Sequence, residues 1–451
     1  MRIIIMGCGN VGATLTEQLV QEGHDISVID VDGKKVETVV NRCDVLGIVG
    51  NGASYGVLME AGIEDADLMI AVTQSDEVNL LCCLIAKKAG DCQTIARVRN
   101  PIYGKEIGFI KEELGLSMVI NPEQTTARDV AQVLKYPSAM QVDTFAKGKV
   151  ELLQYRLPED SILVGKSLRD VSGIFKGQVL VCMVERGDDI FVPGGNFVLE
   201  KKDIISIVVR KQNVYEFFKT LKLSTHRIHN ALIVGGGRTS YYIAKQLLPM
   251  GIQIKIIESN KKRCDELSEL LPEALIICAD GTEQGVLEEE GLAMAEAFVA
   301  WTDIDEENIM LSLFAKKLSN AKTVTKIEKF SQTGIINALD LDTVVYPKYN
   351  TAEHIIQYVR AMSNSIGSNV ETLYRLMDNR VEALEFAVRE TSPVVGVSFQ
   401  ELHLKSNLLI CAIIRNGEVI TPGGKDQIML GDNVIVVTTH KGLNDIRDIM
   451  A

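Results

Sequence analysis

Three things are scarce in this chain. No apolar stretch is long enough to span a bilayer, which takes about 20 consecutive apolar residues. Basic residues are outnumbered: 47 Lys and Arg stand against 60 Asp and Glu, for a net charge of −13. A nucleic acid needs a basic face and anionic lipid needs a polybasic patch, so both are argued against as direct partners. Metal-type cysteine spacing is also missing, because the nine cysteines contain no C-x-x-C pair. Adjacent Cys82 and Cys83 fall in an apolar helical pattern and read as buried reduced thiols. His226-Arg227-Ile228-His229 has no cysteine or carboxylate pattern to complete a metal site and reads as linker. Met1-Arg2 runs straight into an apolar strand, which is not a signal-peptide pattern. A cytoplasmic chain is expected, without membrane insertion, whose membrane role would pass through a partner protein.

What is present is a dinucleotide fingerprint, twice. Ile3-Ile4-Ile5-Met6 leads into Gly7-Cys8-Gly9-Asn10-Val11-Gly12, and Leu232-Ile233-Val234 leads into Gly235-Gly236-Gly237-Arg238-Thr239-Ser240. Each is an apolar run, a glycine turn and an amphipathic stretch. A second apolar run follows each and ends in an acid, Asp30 or Glu258. Gly235 lies as far beyond Gly7 as Glu258 lies beyond Asp30. One G-x-G-x-x-G is weak evidence; two with their acids at matching distances are strong.

The 451 residues suggest roughly three domains by length, but the pattern yields four modules. Strand-like runs at 2–6, 25–30, 44–49, 68–72, 94–99 and 118–120 alternate with helical patterns at 11–22, 34–41, 56–61 and 78–89. That alternation predicts a doubly wound parallel sheet with helices on both faces. Asn121-Pro122-Glu123-Gln124 reads as a helix start, and the helix that follows, over about 125–134, is stopped by Tyr136-Pro137. Short β-runs then follow at 150–157, 179–185, 188–192 and 204–209, with Pro193-Gly194-Gly195 between the last two. They predict a small α+β module. A charged stretch over 211–230 reads as helix plus linker.

The programme then restarts in the second half at a nearly constant offset. Thr73-Gln74-Ser75-Asp76-Glu77-Val78-Asn79 matches Thr302-Asp303-Ile304-Asp305-Glu306-Glu307-Asn308, and Pro193-Gly194-Gly195 matches Pro422-Gly423-Gly424. Asp203 matches Asp432, and Asn416-Gly417 signals a hairpin in the second small module. The expected domains are 1–123 and 228–348, each Rossmann-like, and 140–224 and 368–451, each small and α+β. Gly165-Lys166-Ser167 imitates the end of a P-loop, but Asp160 stands where that loop needs glycine, so it reads as a turn.

The expected nucleotide contacts follow from physical roles. The glycines let backbone approach a pyrophosphate, and the helix that follows aims free N–H groups at it. Asp30 and Glu258 would accept hydrogen bonds from a ribose diol and repel a 2′-phosphate, favouring NAD(H) or another adenine nucleotide over NADP(H). Thr73, Gln74 and Thr302 fall at the carboxyl edge of their sheets. Arg97 and Lys326 share the offset of the two threonines, and each could offer a cation to phosphates, the plainer reading of Arg97 being a surface ion pair. Arg238 at a helix start could clamp a phosphate. Ser240 replaces the third fingerprint glycine, which leaves the second site either widened, weakened or purely structural.

With these motifs in order, the chain resembles tandem units of the RCK (regulator of potassium conductance) family, as found in peripheral regulatory subunits of bacterial and archaeal Trk potassium transporters. The resemblance rests on the glycine turn, the acidic end of strand two, the T-x-S-D-E-x-N segment and the small P-G-G module, and covers essentially the whole chain. It implies a homo-oligomeric ring of lobes, a dimer or tetramer, on the cytoplasmic side of the plasma membrane, docked under a potassium-translocating protein of the TrkH type. It implies NAD⁺ or NADH as ligand, with ATP or ADP in some members, and no catalysis. It also implies that helices near 125–134 and 351–362 cross between paired lobes. Lys202, where the second small module has Gly431, departs from the pattern. A dehydrogenase is the competing reading; it would need a general acid or base beside the nicotinamide, and the small modules hold only His403 and His440.

Overall fold

The computed structural model describes residues 1–451 except 188, 224–226, 329–335, 337–338, 340, 365–369 and 377–379. The first sheet comprises β1 (Arg2–Met6), β2 (Asp25–Asp30), β3 (Leu46–Val49), β4 (Leu68–Ala71), β5 (Gln93–Arg97) and β6 (Met118–Ile120). Its order is β3-β2-β1-β4-β5-β6, and every pairing is parallel. Helices cover both faces, so Ile3, Ile4 and Ile5 are all buried although neighbours point to opposite sides. Strand order reverses between β1 and β4, which opens a crevice at their carboxyl ends.

One element was not anticipated here. A helix spans Pro101–Glu113, where Gly104 and Gly108 had diluted the helical pattern. The helix that ends the module starts within Asn121-Pro122-Glu123-Gln124, at Pro122, because Asn121 caps it through the Gln124 N–H.

The small module is a five-stranded sheet in the order β10-β9-β11-β8-β7, all antiparallel. Its strands are β7 (Gln141–Phe145), β8 (Val150–Arg156), β9 (Val179–Arg186), β10 (Asp189–Phe191) and β11 (Ile204–Arg210). Strand β7 was not anticipated, being short, at the sheet edge and mixed in polarity. Nor was the helix Leu168–Ile174, started by a Ser167–Asp170 capping box. That box also explains Gly165-Lys166-Ser167 as a turn, with Gly165 at φ +77°.

Both architectures recur. The second parallel sheet has the order β14-β13-β12-β15-β16-β17, from β12 (Asn230–Val234), β13 (Gln253–Glu258), β14 (Leu275–Cys278), β15 (Ala297–Ala300), β16 (Lys322–Lys326) and β17 (Thr343–Val345). The second antiparallel sheet has the order β18-β19-β22-β20-β21, from β18 (Val370–Leu376), β19 (Val381–Ala387), β20 (Leu408–Arg415), β21 (Glu418–Ile420) and β22 (Asn433–Thr438). Asn416 and Gly417, both at positive φ, turn β20 into β21 as expected.

The lobes exchange helices. On Pro122–Lys135, the side chains Ala127, Val130, Ala131 and Leu134 pack with Ile233, Tyr241 and Ala244 of the second lobe. On Pro347–Asn364, the side chains Ala352, Ile355, Ile356 and Val359 pack with Ile3, Ile5, Leu15 and Leu19 of the first. Polar pins hold the exchange. Asn121 Nδ2 donates to Tyr242 Oη at 3.0 Å, and the Arg360 guanidinium reaches Glu22 at 2.5 Å. Lys322 Nζ donates to the Ala139 carbonyl at 2.6 Å. The crossing expected between paired lobes thus takes place inside one chain, and does not by itself require a second copy.

The small sheets meet face to face. Leu152, Cys182, Met183 and Val208 pack against Ala383, Cys411, Ile435 and Val437, and the Phe145 and Tyr374 rings stand edge-on at 4.8 Å. Among the described residues no helix is long and apolar enough to cross a membrane.

Candidate nucleotide sites

The first site is built at the β1 carboxyl end. Gly7 has φ +106°, and a Cβ there would come within 3.0 Å of Val72 and Thr73 at the end of β4. A Cβ on Gly12 would lie 1.7 Å from the Gly7 carbonyl oxygen, so the turn and the helix can close only on glycine. Gly9 differs: its backbone is extended, and a Cβ would meet nothing within 4 Å. It faces open space. The helix Asn10–Gln21 starts there without a side-chain cap, leaving first-turn N–H groups for an anion.

Asp30 is buried and braces this turn. Its Oδ2 accepts the Cys8 N–H at 2.7 Å and its Oδ1 accepts the Asp32 N–H at 2.9 Å. A carboxylate accepts up to about four hydrogen bonds, so capacity remains for a ribose diol. Cys8 turns into the core, where burial pushes its thiol up to about 12.

The T-x-S-D-E-x-N segment shapes the opposite lip. Asn79 is fully buried and staples two strand ends: its Oδ1 accepts the Thr73 N–H at 2.8 Å, and its Nδ2 donates to the Thr73 and Arg97 carbonyls at 3.1 and 2.9 Å. Asp76 accepts the Arg99 and Asn100 N–H groups at 2.9 and 2.8 Å. Neither residue was assigned a role from sequence, although both recur in the second lobe as Asp305 and Asn308. Gln74 is exposed beside Thr73.

Arg97 is not a surface ion pair. It is 9% exposed and donates from Nη2 to the Thr73 carbonyl. Burial, then the nearby Arg99 guanidinium and, less strongly, Arg238 of the second lobe, lower it to about 10 against the opposing pull of Glu123 and Asp76. Arg99 pairs with Glu123 at 2.5 Å. Arg99 and, from the second lobe, Arg238 thus lie near enough to act electrostatically on Arg97.

The second site keeps the backbone and changes the side chains. Gly235 has φ +99°, and the helix Arg238–Leu247 again starts on a glycine, Gly237, without a side-chain cap and with open space around it. Glu258 repeats the bracing, accepting from Gly236 N and Asn260 N at 2.7 Å each. A Cβ on Gly236 would strike Glu258 Oε2 and Leu267 Cδ1, both at 2.8 Å. Glutamate is one methylene longer than Asp30, and Gly236 supplies the room that Cys8 occupies in the first lobe.

Ser240 does not abolish the turn. A Cβ on Gly235 would meet the Trp301 carbonyl at 2.4 Å, so this turn presses closer on β15, as expected if it retreats from the serine. The Ser240 hydroxyl is buried and has no hydrogen-bond partner among the described residues. Thr302 and Asn308 repeat the staple at 2.8 Å. Lys326 donates to the Thr302 carbonyl at 3.2 Å and pairs with Asp303 and Glu328 at 3.3 and 3.1 Å. Its charge is locally compensated. Thr239 is half-buried and Arg238 exposed at the helix start.

Among the described residues no group of three or more His, Cys, Asp or Glu could hold a metal. His226 lies outside the described residues; His229 reaches Glu296 at 3.2 Å.

Two uncapped helix ends over glycine turns, each braced by an acid, define a tandem Rossmann-type protein in which each parallel-sheet lobe carries a small antiparallel module. The TrkA-N domain family matches residues 3–122 and 231–347, and the TrkA-C domain family matches 152–222 and 383–451. The chain belongs to the TrkA family. It is 33% identical over 449 residues to the "Trk system potassium uptake protein TrkA homolog" of Archaeoglobus fulgidus, covering all of both chains. It is 31% identical to "Trk system potassium uptake protein TrkA" of Halomonas elongata, covering 100% of this chain and 98% of that one. In fold it is similar to the "GsuK RCK domain" (TM-score 0.63, 17% identity, 98% of this chain and 93% of that one). It is similar as well to the "GsuK channel bound to NAD" (TM-score 0.63, 17% identity, 98% and 77%).

Proposed function

We propose that this protein is the nucleotide-sensing regulatory subunit of a Trk-type potassium uptake system. The observation that carries the reading is the pair of open, uncapped helix ends, each over a glycine turn and beside a carboxylate with acceptor capacity to spare. That donor set suits a dinucleotide: N–H groups for the pyrophosphate, a carboxylate for the ribose diol. The ligand is NAD⁺ or NADH, with ATP or ADP as the other adenine nucleotides such a site accommodates. Gly7, Cys8, Gly9, Asn10, Val11, Gly12, Asp30, Thr73, Gln74 and Arg97 form the first site. Gly235, Gly236, Gly237, Arg238, Thr239, Glu258, Thr302 and Lys326 form the second.

The working units are residues 1–123, 140–224, 228–348 and 368–451, with the exchanged helices linking them. Copies of the chain assemble into a ring at the inner face of the membrane, beneath a potassium-translocating partner of the TrkH type. The protein transduces ligand state and does not turn the ligand over. Ligand that favours one angle between lobes shifts the ring toward that shape by its difference in affinity for the two.

Calorimetry with NAD⁺, NADH, ATP, ADP and NADPH tests the reading. NAD(H) or ATP/ADP should bind and NADPH should not. Asp30→Ala removes both the ribose acceptor and the brace of Cys8 N, so first-site affinity should fall at least about tenfold, the value of one charged hydrogen bond. Unchanged affinity removes Asp30 from the site; no binding by any nucleotide ends the sensor reading.

A further inference from the structure

The second lobe carries a pair of thiols that the first lobe lacks. Cys264 sits on the helix Lys261–Leu270, and its Sγ hydrogen-bonds the Glu258 carbonyl at 3.2 Å. Cys278 ends β14 and is the direct β-register partner of Glu258. Helix and strand therefore bring both cysteines beside the residue that braces the second glycine turn, and Cys278 is near enough to help raise the Cys264 thiol. Cys264 is 5% exposed, whereas Cys278 is exposed. In the first lobe the equivalent positions, read from the repeat offset, are Val36 and Val49, and Val49 pairs with Asp30 as Cys278 pairs with Glu258.

We propose that Cys264 and Cys278 form a reversible dithiol–disulfide couple that makes the second nucleotide site, and not the first, sensitive to oxidation by small-molecule disulfides. The consequence for ligand rests on the nucleotide reading above; the couple itself does not.

The exposed sulfur meets the oxidant. A Cys278 thiolate attacks one sulfur of a small disulfide RSSR, breaking its S–S bond and releasing RS⁻, which takes a proton. Cys264 then loses its proton to solvent, and its sulfur displaces the second RS⁻ from the mixed disulfide. Two thiols and one RSSR become one protein disulfide and two RSH, with two electrons passed to the oxidant. Burial, then Cys278 and nearby acids, holds the Cys264 thiol up to about 11, which suits it to the second, resolving role rather than to first attack. Oxidation removes the S–H beside the Glu258 carbonyl and ties the helix to the end of β14. Glu258 sits between the two tied elements, so its carboxylate can no longer adjust freely to a ribose.

The test uses the full chain, treated with oxidised glutathione and digested without reduction. Mass spectrometry should find a peptide pair joined through Cys264 and Cys278, lighter by two hydrogens than the thiol pair and reversed by dithiothreitol. It should be absent from Cys278→Val and from Cys264→Val, each of which installs the first lobe's own residue. Calorimetry should show nucleotide affinity at the second site reduced several-fold by oxidation in the wild type and unchanged in Cys278→Val. If Cys278 alkylates freely while no link between the two cysteines forms, the couple is overturned. A link that leaves second-site affinity unchanged overturns the regulatory consequence. If the reduced protein binds no nucleotide, the functional reading fails, and the link alone decides the couple.

Discussion

The two glycine turns reach one backbone by different side-chain solutions. The first lobe uses Cys8 with the short Asp30; the second uses Gly236 with the longer Glu258. In both, a carboxylate oxygen meets the N–H of the turn's second residue at 2.7 Å. Volume moved from the turn to the acid while the hydrogen bond stayed. What is held constant is thus the donor–acceptor geometry around the open helix end, and residue identity is free to drift as long as volumes compensate. The flanking cations did drift: Arg97 is buried with Arg99 and Arg238 nearby, whereas Lys326 is neutralised by Asp303 and Glu328.

The comparison can be broken hardest at the third glycine. Gly12→Ala puts a methyl group 1.7 Å from the Gly7 oxygen and should abolish nucleotide binding at the first site and lower Tm sharply. Ser240→Ala at the equivalent place should keep second-site binding and raise stability by about 1 kcal/mol, since a buried unpaired hydroxyl is removed. Calorimetry and thermal melts on both variants read the contrast; equal losses would mean that the third position does the same work in both turns.

The small modules predict the opposite, near equivalence, with Arg186 differing by also reaching the exposed Glu200 at 2.5 Å. Arg186 grips fully buried Asp203 through two contacts of 2.8 Å, and Arg415 grips Asp432 at 2.9 and 2.8 Å. Arg186→Ala and Arg415→Ala should each cost about 2–3 kcal/mol, somewhat under the full cost of breaking a buried pair because each arginine is about a third exposed. Denaturant melts that separate the two by more than about 1 kcal/mol would show that one module has outgrown its twin.

A third contrast is acidic. Asp143 on β7 stands where the second half has Thr372. Desolvation, then Asp129, raises Asp143 to about 7, with Glu353 and Glu151 adding to the push and Gln141 opposing it; desolvation also raises Asp129 to about 6. The native state therefore keeps protons that the unfolded chain releases from about pH 4 upward, and their stabilisation is lost as pH rises through 6 to 7. His354, lowered to about 4 by burial and Arg128, works the other way, its contribution being lost as pH falls from about 6.5 to 4. Asp143→Asn should raise Tm by a few degrees at pH 8 and hardly at all at pH 4. A gain of equal size at both would detach the effect from ionisation. The smallest effect belongs to Lys202, held at φ +66° where Gly431 has +90°. Lys202→Gly should stabilise by about 0.5–1 kcal/mol, visible as a slightly higher urea midpoint.

Features written in spacing were legible. The doubled fingerprint, the four-module order and the paired acids follow from periodicity and offsets, and most strand limits lie close to those expected. Features decided by partners were not. Ala127, Val130, Ala131 and Leu134 announce an apolar helix face, but nothing in their spacing says which lobe covers it. Arg97 was open to reading as a surface charge because its burial depends on β4, β5 and the other lobe meeting around it. Asp76 and Asn79 were legible only as members of a repeated segment; the fold reveals that they tie strand ends together. Strand β7 (Gln-Val-Asp-Thr-Phe) lacks alternation because it is a partly covered edge.

The helix exchange also sets a schedule for synthesis. Ile3, Ile5, Leu15 and Leu19 complete their core only with Ala352, Ile355, Ile356 and Val359, so the first lobe to leave the ribosome cannot close until most of the chain has followed it. At about 5–20 residues per second, its apolar face waits on the order of tens of seconds for its covering helix. A chain severed between lobes would then yield two sticky fragments, each soluble only once it finds the other.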